Sequence, residues 1–468
     1  MGHLYFHLIM KNKVLIACKN METDMKLPKI DQVKTKSLFI ICLLSVGLTA
    51  NAQTKSIQNS PLLSEASPET AGMSTERLAR IDSICEEAVL KGEIPGLVAL
   101  VARHGKIVYW KAFGMADNQI NQSLKKDDIF RIASQSKAIT ATAVMMLWEE
   151  GKFQLDDPVS RYIPEFKNPQ VLKTFNCSDT SYTTVPANGE ITIRHLLTHT
   201  SGIGYGQIDK DERFKLIYQK AGIIDLFTTK NISIEDNVKK LAKLPLHHNP
   251  GEKYTYSEGL DVLGYFIELM SGTPFDVFLK ERLFDPLEMN DTWFYLPDKK
   301  QKRLVALQTK SDKGEWIHYP VTFYDPDFPV KGARRFFSGG AGLCSTVKDY
   351  ATFLQMYLNG GELNGTRILS RTTVQTMMVD QTNGQCSKSK GQPYKDYGLA
   401  FGLINEKALQ VGGQGSTGTF YWGGYFNTHG FADPEEQLIG LLMKQTRGKL
   451  NDDTDWMFKI LAEQAVDD

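Results

Sequence analysis

The chain has 468 residues, 42% of them hydrophobic and 10% aromatic, with 54 Lys and Arg against 54 Asp and Glu. That composition excludes a disordered tail, a collagen and a disulfide-dense miniprotein, and length allows two or three structural units. Formal neutrality also argues against nucleic acid as a partner, because a phosphate-binding surface needs an excess of cations.

The neutrality hides an asymmetry. Residues 1–52 carry seven Lys and three acids, which leaves 47 basic and 51 acidic residues in the remainder. Lys34 and Lys36 precede an apolar run from Leu38 to Leu48, and Ala50-Asn51-Ala52 follows. This is the order of a secretory signal, with cleavage after Ala52 leaving Gln53 first, and the expected location is periplasmic or secreted. Met21 or Met25 would be a more ordinary start. The run is short for a membrane span, which needs roughly 20 apolar residues. Cys85, Cys177, Cys344 and Cys386 are scattered without any C-x-x-C spacing, so neither a zinc knuckle nor a redox motif is indicated.

After the leader, 74–90 has helical periodicity. The continuous apolar run Leu97–Ala102, a turn at His104-Gly105-Lys106 and Ile107–Trp110 predict a hairpin whose first strand is buried on both faces. Residues 134–151 form a helix that is apolar most of the way round and belongs in the core. From about 166 to 386 the pattern is helix and loop, including a helix over 349–359. Strand character returns at 397–404, 418–426 and 438–443, and an amphipathic helix runs over 453–465. The expected fold is α/β: an antiparallel sheet flanked by helices and built from both termini, residues 53–165 with 387–468, interrupted by a mainly helical insertion at 166–386. The cleft between two such units is the default place for a site.

Ser134-Gln135-Ser136-Lys137 places a hydroxyl and an amine three residues apart, on one face of a helix. Ser123/Lys126, Ser345/Lys348 and Ser387/Lys390 have the same spacing, but only Ser134 opens a long apolar helix able to hold both groups and keep Lys137 from bulk water, where an amine becomes a usable base. No Gly-x-Ser-x-Gly elbow or Walker A loop is present. Gly413-Gln-Gly-Ser-Thr-Gly418 matches a dinucleotide fingerprint, but it precedes a strand-like segment and reads as a turn, so no cofactor is expected. His195 and His199 lack an intervening glutamate and a third ligand, and read as packed, hydrogen-bonded side chains with no metal.

Five segments occur in order: Arg131-Ile-Ala-Ser-Gln-Ser-Lys137, Arg194-His-Leu-Leu-Thr-His-Thr-Ser-Gly202, Pro250-Gly251 with Tyr256-Ser257-Glu258, Ser338-Gly-Gly-Ala-Gly-Leu343, and Trp422-Gly423-Gly424. Together, over about 67–464, they resemble the β-lactamase-related serine hydrolases: class C β-lactamases, D-alanyl-D-alanine carboxypeptidases and family VIII esterases. The resemblance implies Ser134 as nucleophile, Lys137 and Tyr256 as proton carriers in an order left open, and the amides of Ser134 and Tyr425 as an oxyanion hole. It places Glu258, Trp422, Gly423 and Gly424 at the substrate. Glu258 stands where the family has asparagine, and Trp422 where many members have lysine. Both changes disfavour an anionic β-lactam or peptide, although Arg334 and Arg335, just before the glycine-rich loop, could restore positive charge. The resulting expectation is an exported acyl-enzyme esterase acting on a small ester or amide. The alternatives are a D-amino-acid peptidase, carboxypeptidase or β-lactamase, and a catalytically weak envelope-binding protein.

Overall fold

The computed structural model describes residues 54–448 and 452–468; the leader and the expected cleavage point at Ala52 lie outside them. A nine-stranded sheet organises the molecule. Its strands are β1 (Ser64–Glu65), β2 (Gly96–Arg103), β3 (Lys106–Asp117), β4 (Gln122–Ser123), β5 (Lys395–Tyr397), β6 (Gly402–Ile404), β7 (Phe420–Gly424), β8 (Thr428–Asp433) and β9 (Leu438–Met443). They run in the order β1-β3-β2-β9-β8-β7-β6-β5, with β4 on β3, so β2 and β9 from opposite ends of the chain pair at the centre. All pairs are antiparallel except β1 with β3.

Six helices matter for the site: α1 (Arg80–Leu90), α2 (Ser136–Glu149), α3 (Gly259–Ser271), α4 (Val347–Leu358), α5 (Gln385–Lys390) and α6 (Thr454–Gln464). Every residue of β2 and β9 is buried because the sheet is covered on both faces. The period of two along a strand decides which face each side chain serves. Leu97, Ala99 and Val101 pack with Ile81, Cys85 and Ala88 of α1 and Phe458 and Ala462 of α6. Val98, Leu100 and Ala102 join the larger core with Ala141, Val144 and Met145 of α2 and Phe353 of α4. The turn between β2 and β3 has positive φ at both His104 and Gly105, the geometry that suits a two-residue hairpin.

The helical pattern over 74–90 divides into Thr75–Leu78, capped by the Ser74 hydroxyl, and α1. The strand expected at 397–404 is instead a hairpin, β5 turning back on β6. Ala400 at φ 69° reverses the chain there, and Gly398 lies so close to the Met377 carbonyl that an added Cβ would meet it at 2.1 Å. The middle of the chain also contains pairs that helical and loop patterning did not suggest, Gln170–Phe175 with Tyr182–Pro186 and Gln308–Lys310 with Trp316–His318. No single helix among the described residues is long and apolar enough to cross a membrane. Their four cysteines are free, and Cys85, Cys344 and Cys386 are buried.

Candidate active site

A buried arginine starts the site. Strand Phe130–Arg131 pairs with Cys344–Ser345, and the Arg131 guanidinium donates to the carbonyls of Val305 and Pro326. Ile132 then donates its N–H to Leu343, and Ala133 adopts φ 43°, a left-handed conformation that costs energy for any residue with a Cβ. This turns the chain sharply into a 3₁₀ turn, Ala133–Gln135, which carries Ser134 into α2. Residues 136–147 of that helix are all buried, so its first turn is held on every side.

Lys137 is fully buried and donates to the Gly340 carbonyl at 2.7 Å and to Ser134 Oγ at 3.3 Å. The Tyr256 phenol donates to the same Oγ at 2.8 Å. The Lys137 ammonium also lies 4.7 Å from the centre of the Tyr256 ring and 5.6 Å from that of Tyr205. Three side chains from two distant segments therefore meet around one oxygen.

The glycine-rich loop is anchored from two sides. Thr140 Oγ1 of α2 donates to the Gly339 carbonyl at 2.6 Å, and Ser136 Oγ accepts from the Leu343 N–H at 3.1 Å. From α3, Asp261 Oδ1 accepts from Ser338 Oγ at 2.5 Å and from the Gly340 N–H at 3.3 Å. Asp261 thus holds Gly340 through its N–H, and the carbonyl of the same residue holds Lys137. Burial pushes its carboxyl up to about 6 despite the Ser338 hydrogen bond and the nearby ammonium of Lys137.

The loop before α3 carries Tyr256 and is locked by His199. His199 Nδ1 lies 3.0 Å from Ser257 Oγ and accepts from the Ser257 N–H at 3.2 Å, while the His199 carbonyl accepts from Thr255. Its ring packs 4.6 Å from that of Tyr256. Burial, with Lys137 and Lys390 nearby, holds His199 well below the usual histidine range, so it is a neutral brace. His195 is separate: its Nδ1 accepts from the Thr192 N–H in a capping box. Among the described residues no cluster of three or more His, Cys, Asp or Glu side chains is arranged to hold a metal ion.

The third motif lies on β7. An added Cβ at Gly424 would sit 2.4 Å from the Ile132 carbonyl and 2.3 Å from Thr428 Oγ1, so only glycine lets this strand end approach the segment leading to Ser134. Gly423 is less confined, with His429 Nδ1 and the Thr428 carbonyl at 3.2 Å. Tyr425 follows the strand, its ring under the Arg447 guanidinium at 3.6 Å. Neither the Tyr425 nor the Ser134 amide N–H donates to a backbone carbonyl among the described residues. Trp422 packs 5.9 Å from Tyr256 and 5.3 Å from Tyr397, and divides the cleft into two lobes of about 1020 and 780 Å³. Tyr256 and Gln392 line both lobes, and Ser134 opens into the second.

Two expectations need correction. Glu258 lies outside the cleft: it is 1% exposed, lines neither lobe and occupies the N-cap position of α3 beside Asp225 without a side-chain capping bond. Burial first, and the neighbouring Asp225 second, hold its pKa well above the usual carboxyl range, which favours the uncharged acid. Arg334 and Arg335 do not restore charge to the cleft. Arg334 lines a separate cavity with Tyr295 and Asp276, and Arg335 lies beside α-helical Asp236. The glycine fingerprint at 413–418 is a turn preceding β7, with Ser416 N–H donating to Asp433.

Sequence reasoning read His199 correctly as a packed, hydrogen-bonded histidine but not its place against Tyr256, and it passed over Asp261 and the position of Lys390. Asp261 left a signal, as a carboxylate in the otherwise apolar first turns of α3. Lys390 was visible only in a rejected Ser-x-x-Lys match; folding brings its ammonium to 4.9 Å from the Trp422 ring centre.

Residues 81–464 match the Beta-lactamase family. Esterase EstB of Burkholderia gladioli is 30% identical over 388 residues, covering 79% of this chain and 90% of its own. The solved structure of EstCE1, described as a hydrolase with promiscuous acyltransferase activity, is similar with a TM-score of 0.70 and 26% identity, covering 84% of this chain and 99% of that one. Unliganded simvastatin synthase from Aspergillus terreus shares the fold, with a TM-score of 0.67, 23% identity and coverage of 84% and 98%. The chain thus belongs to the Beta-lactamase family and is a serine hydrolase of the β-lactamase and penicillin-binding-protein fold.

Proposed function

We propose that the protein is an exported carboxylesterase that forms an acyl-enzyme on Ser134. The observation that carries this reading is the convergence of the Tyr256 phenol and the Lys137 ammonium on Ser134 Oγ, at 2.8 and 3.3 Å. The Tyr256–Lys137 pair acts one proton short, as phenol with amine or as phenolate with ammonium: Ser134 Oγ attacks the ester carbonyl carbon and gives its proton to that pair. The tetrahedral oxyanion takes the N–H groups of Ser134 and Tyr425, and the pair returns the proton to the departing alkoxide as the C–O bond breaks. Water then repeats the sequence on the acyl-enzyme, releasing the acid and regenerating Ser134. Lys137 and Tyr256 share one proton task here, with no order assigned between them.

An aromatic side chain at the third motif supports an ester over a peptide, because Trp422 offers an apolar wall and no cation of its own. The similarity to EstB and EstCE1 points the same way. Purified protein should hydrolyse short-chain nitrophenyl esters with far higher kcat/KM than a D-alanyl-D-alanine peptide or nitrocefin, and Ser134→Ala should abolish that activity. Equal or better turnover of the peptide or of nitrocefin would overturn the esterase reading. Export rests on the leader alone, and N-terminal sequencing of the secreted or periplasmic form should begin at Gln53; an intact leader on cytoplasmic protein would contradict it.

A further inference from the structure

Among the described residues three lysines that line the cleft, Lys210, Lys390 and Lys395, form no ion pair; the first two are exposed and Lys395 is half-buried, and Lys390 and Lys395 flank Trp422. Lys390, at the end of α5, places its ammonium 4.9 Å from the ring centre of Trp422 and 5.6 Å from that of Tyr254, in the first lobe. Lys395, on β5, lies 5.4 Å from the ring centre of Tyr421 and lines the second lobe together with Ser134. Neither forms an ion pair among the described residues, although Lys390 also reaches the Cys386 thiol.

The other charged groups of the two lobes do not supply a counter-ion. Asp209, Asp211 and Glu212 contact His247, Arg213 and Lys215, and Asp455 contacts Lys444, at 3.9 Å, and His429. Lys459, next to Lys395, is paired with Glu463. Lys395 is half-buried, and burial, reinforced by Lys390 and Lys459, holds it below the usual lysine range. An uncompensated cation in such a place is costly, and a bound anion would repay that cost. The rings beneath both ammonium groups orient them without neutralising them.

We infer that the substrate is an ester carrying a carboxylate away from the scissile bond, received by Lys390 and Lys395 on the two sides of Trp422. The inference rests on the esterase reading and names its substrate class. It also revises the expectation drawn from Trp422 and Glu258: the third-motif strand lost a cation, Glu258 is buried away from both lobes, and positive charge enters from α5 and β5 instead.

The test compares two esters of matched shape, 3-butanoyloxybenzoate and 3-butanoyloxybenzamide, hydrolysed by the purified chain at low salt. The carboxylate ester should have the higher kcat/KM, by about tenfold or more, the scale of a charge-assisted contact. The ratio should fall as salt is added, and should fall toward one in Lys390→Met/Lys395→Met, with the loss mainly in KM for the benzoate. If the double variant does not fold, each single variant and the salt dependence of the wild type carry the same test. A ratio at or below one, or a ratio that neither salt nor the substitutions change, overturns the anion site while turnover through Ser134 leaves the esterase reading standing. Absence of turnover with both esters, or turnover that survives Ser134→Ala, overturns the esterase reading and this inference with it.

Discussion

At Ser134 one oxygen accepts hydrogen bonds from two side chains on different segments, Lys137 and Tyr256. Tyr256→Phe keeps the ring against His199 and Trp422 and deletes only the hydroxyl 2.8 Å from Ser134 Oγ. Ester turnover should fall about 10²- to 10⁴-fold with the melting temperature little changed, and a variant keeping more than about a tenth of the activity would remove the phenol from the mechanism. Gly424 and Gly423 give a contrast of a different kind. An added methyl at 424 meets the Ile132 carbonyl at 2.4 Å, whereas at 423 the nearest atoms are at 3.2 Å. Gly424→Ala should therefore push the strand end from Ser134 and cost about 10²- to 10³-fold in kcat, the scale of a lost oxyanion donor. Gly423→Ala should cost less, and steady-state kinetics on both variants checks the order. Asp261 is a positioning residue, acting on Lys137 through Gly340, whose N–H donates to it and whose carbonyl Lys137 meets. As pH falls through about 6 its carboxylate takes up a proton and its hold on Ser338 and Gly340 weakens, so ester kcat should decline in that range. Asp261→Asn should have a low kcat without that limb and a nearly unchanged KM; an intact acid limb in this folded variant would assign the titration elsewhere.

Helix α3 carries a linked effect on stability. Glu258 at its N-terminus and Asp225 beside it are both buried acids whose pKa values are raised, chiefly by burial. Each binds its proton more tightly in the folded than in the unfolded chain. Their contribution to stability is therefore greatest below the ordinary carboxyl range and is lost as pH rises toward the folded-state values. Glu258→Gln cannot ionise, so it should raise the melting temperature at pH 8 by roughly 2 °C, on the order of 1 kcal/mol, and have a smaller effect at pH 5. A loss of stability at pH 8 as large as at pH 5 would show that the carboxyl is held in another way. At this scale, period and burial made β2, β9, α2 and α4 legible, because each buries nearly every residue or one clear face. The reversal at Gly398–Ala400 was not, since its cause is the Met377 carbonyl from a distant segment, and the hairpin at 170–186 is half-exposed, with few apolar residues to mark it.

Across the whole molecule, the antiparallel sheet flanked by helices and built from both ends of the chain follows from where the apolar runs lie, and β2 pairing with β9 closes it. The motif segments around Ser134, Lys137, Tyr256 and Gly424 were readable because each has a distinctive order of residue types. Charge in the cleft was not readable. It depends on which side chains turn inward: Glu258 turns into the core, Arg334 into another cavity, and Lys390 onto Trp422. A substrate class argued from residue types at motif positions alone therefore counted Glu258 at the substrate, although it lines neither lobe of the cleft. The most direct test is to trap the intermediate. A quenched reaction of the purified chain with a nitrophenyl ester, analysed by peptide mass spectrometry, should show the acyl group on the peptide containing Ser134, and Ser134→Ala should show neither adduct nor turnover. An adduct on Ser123, Ser345 or Ser387, or ester hydrolysis undiminished in Ser134→Ala, would contradict the assignment of Ser134 as nucleophile.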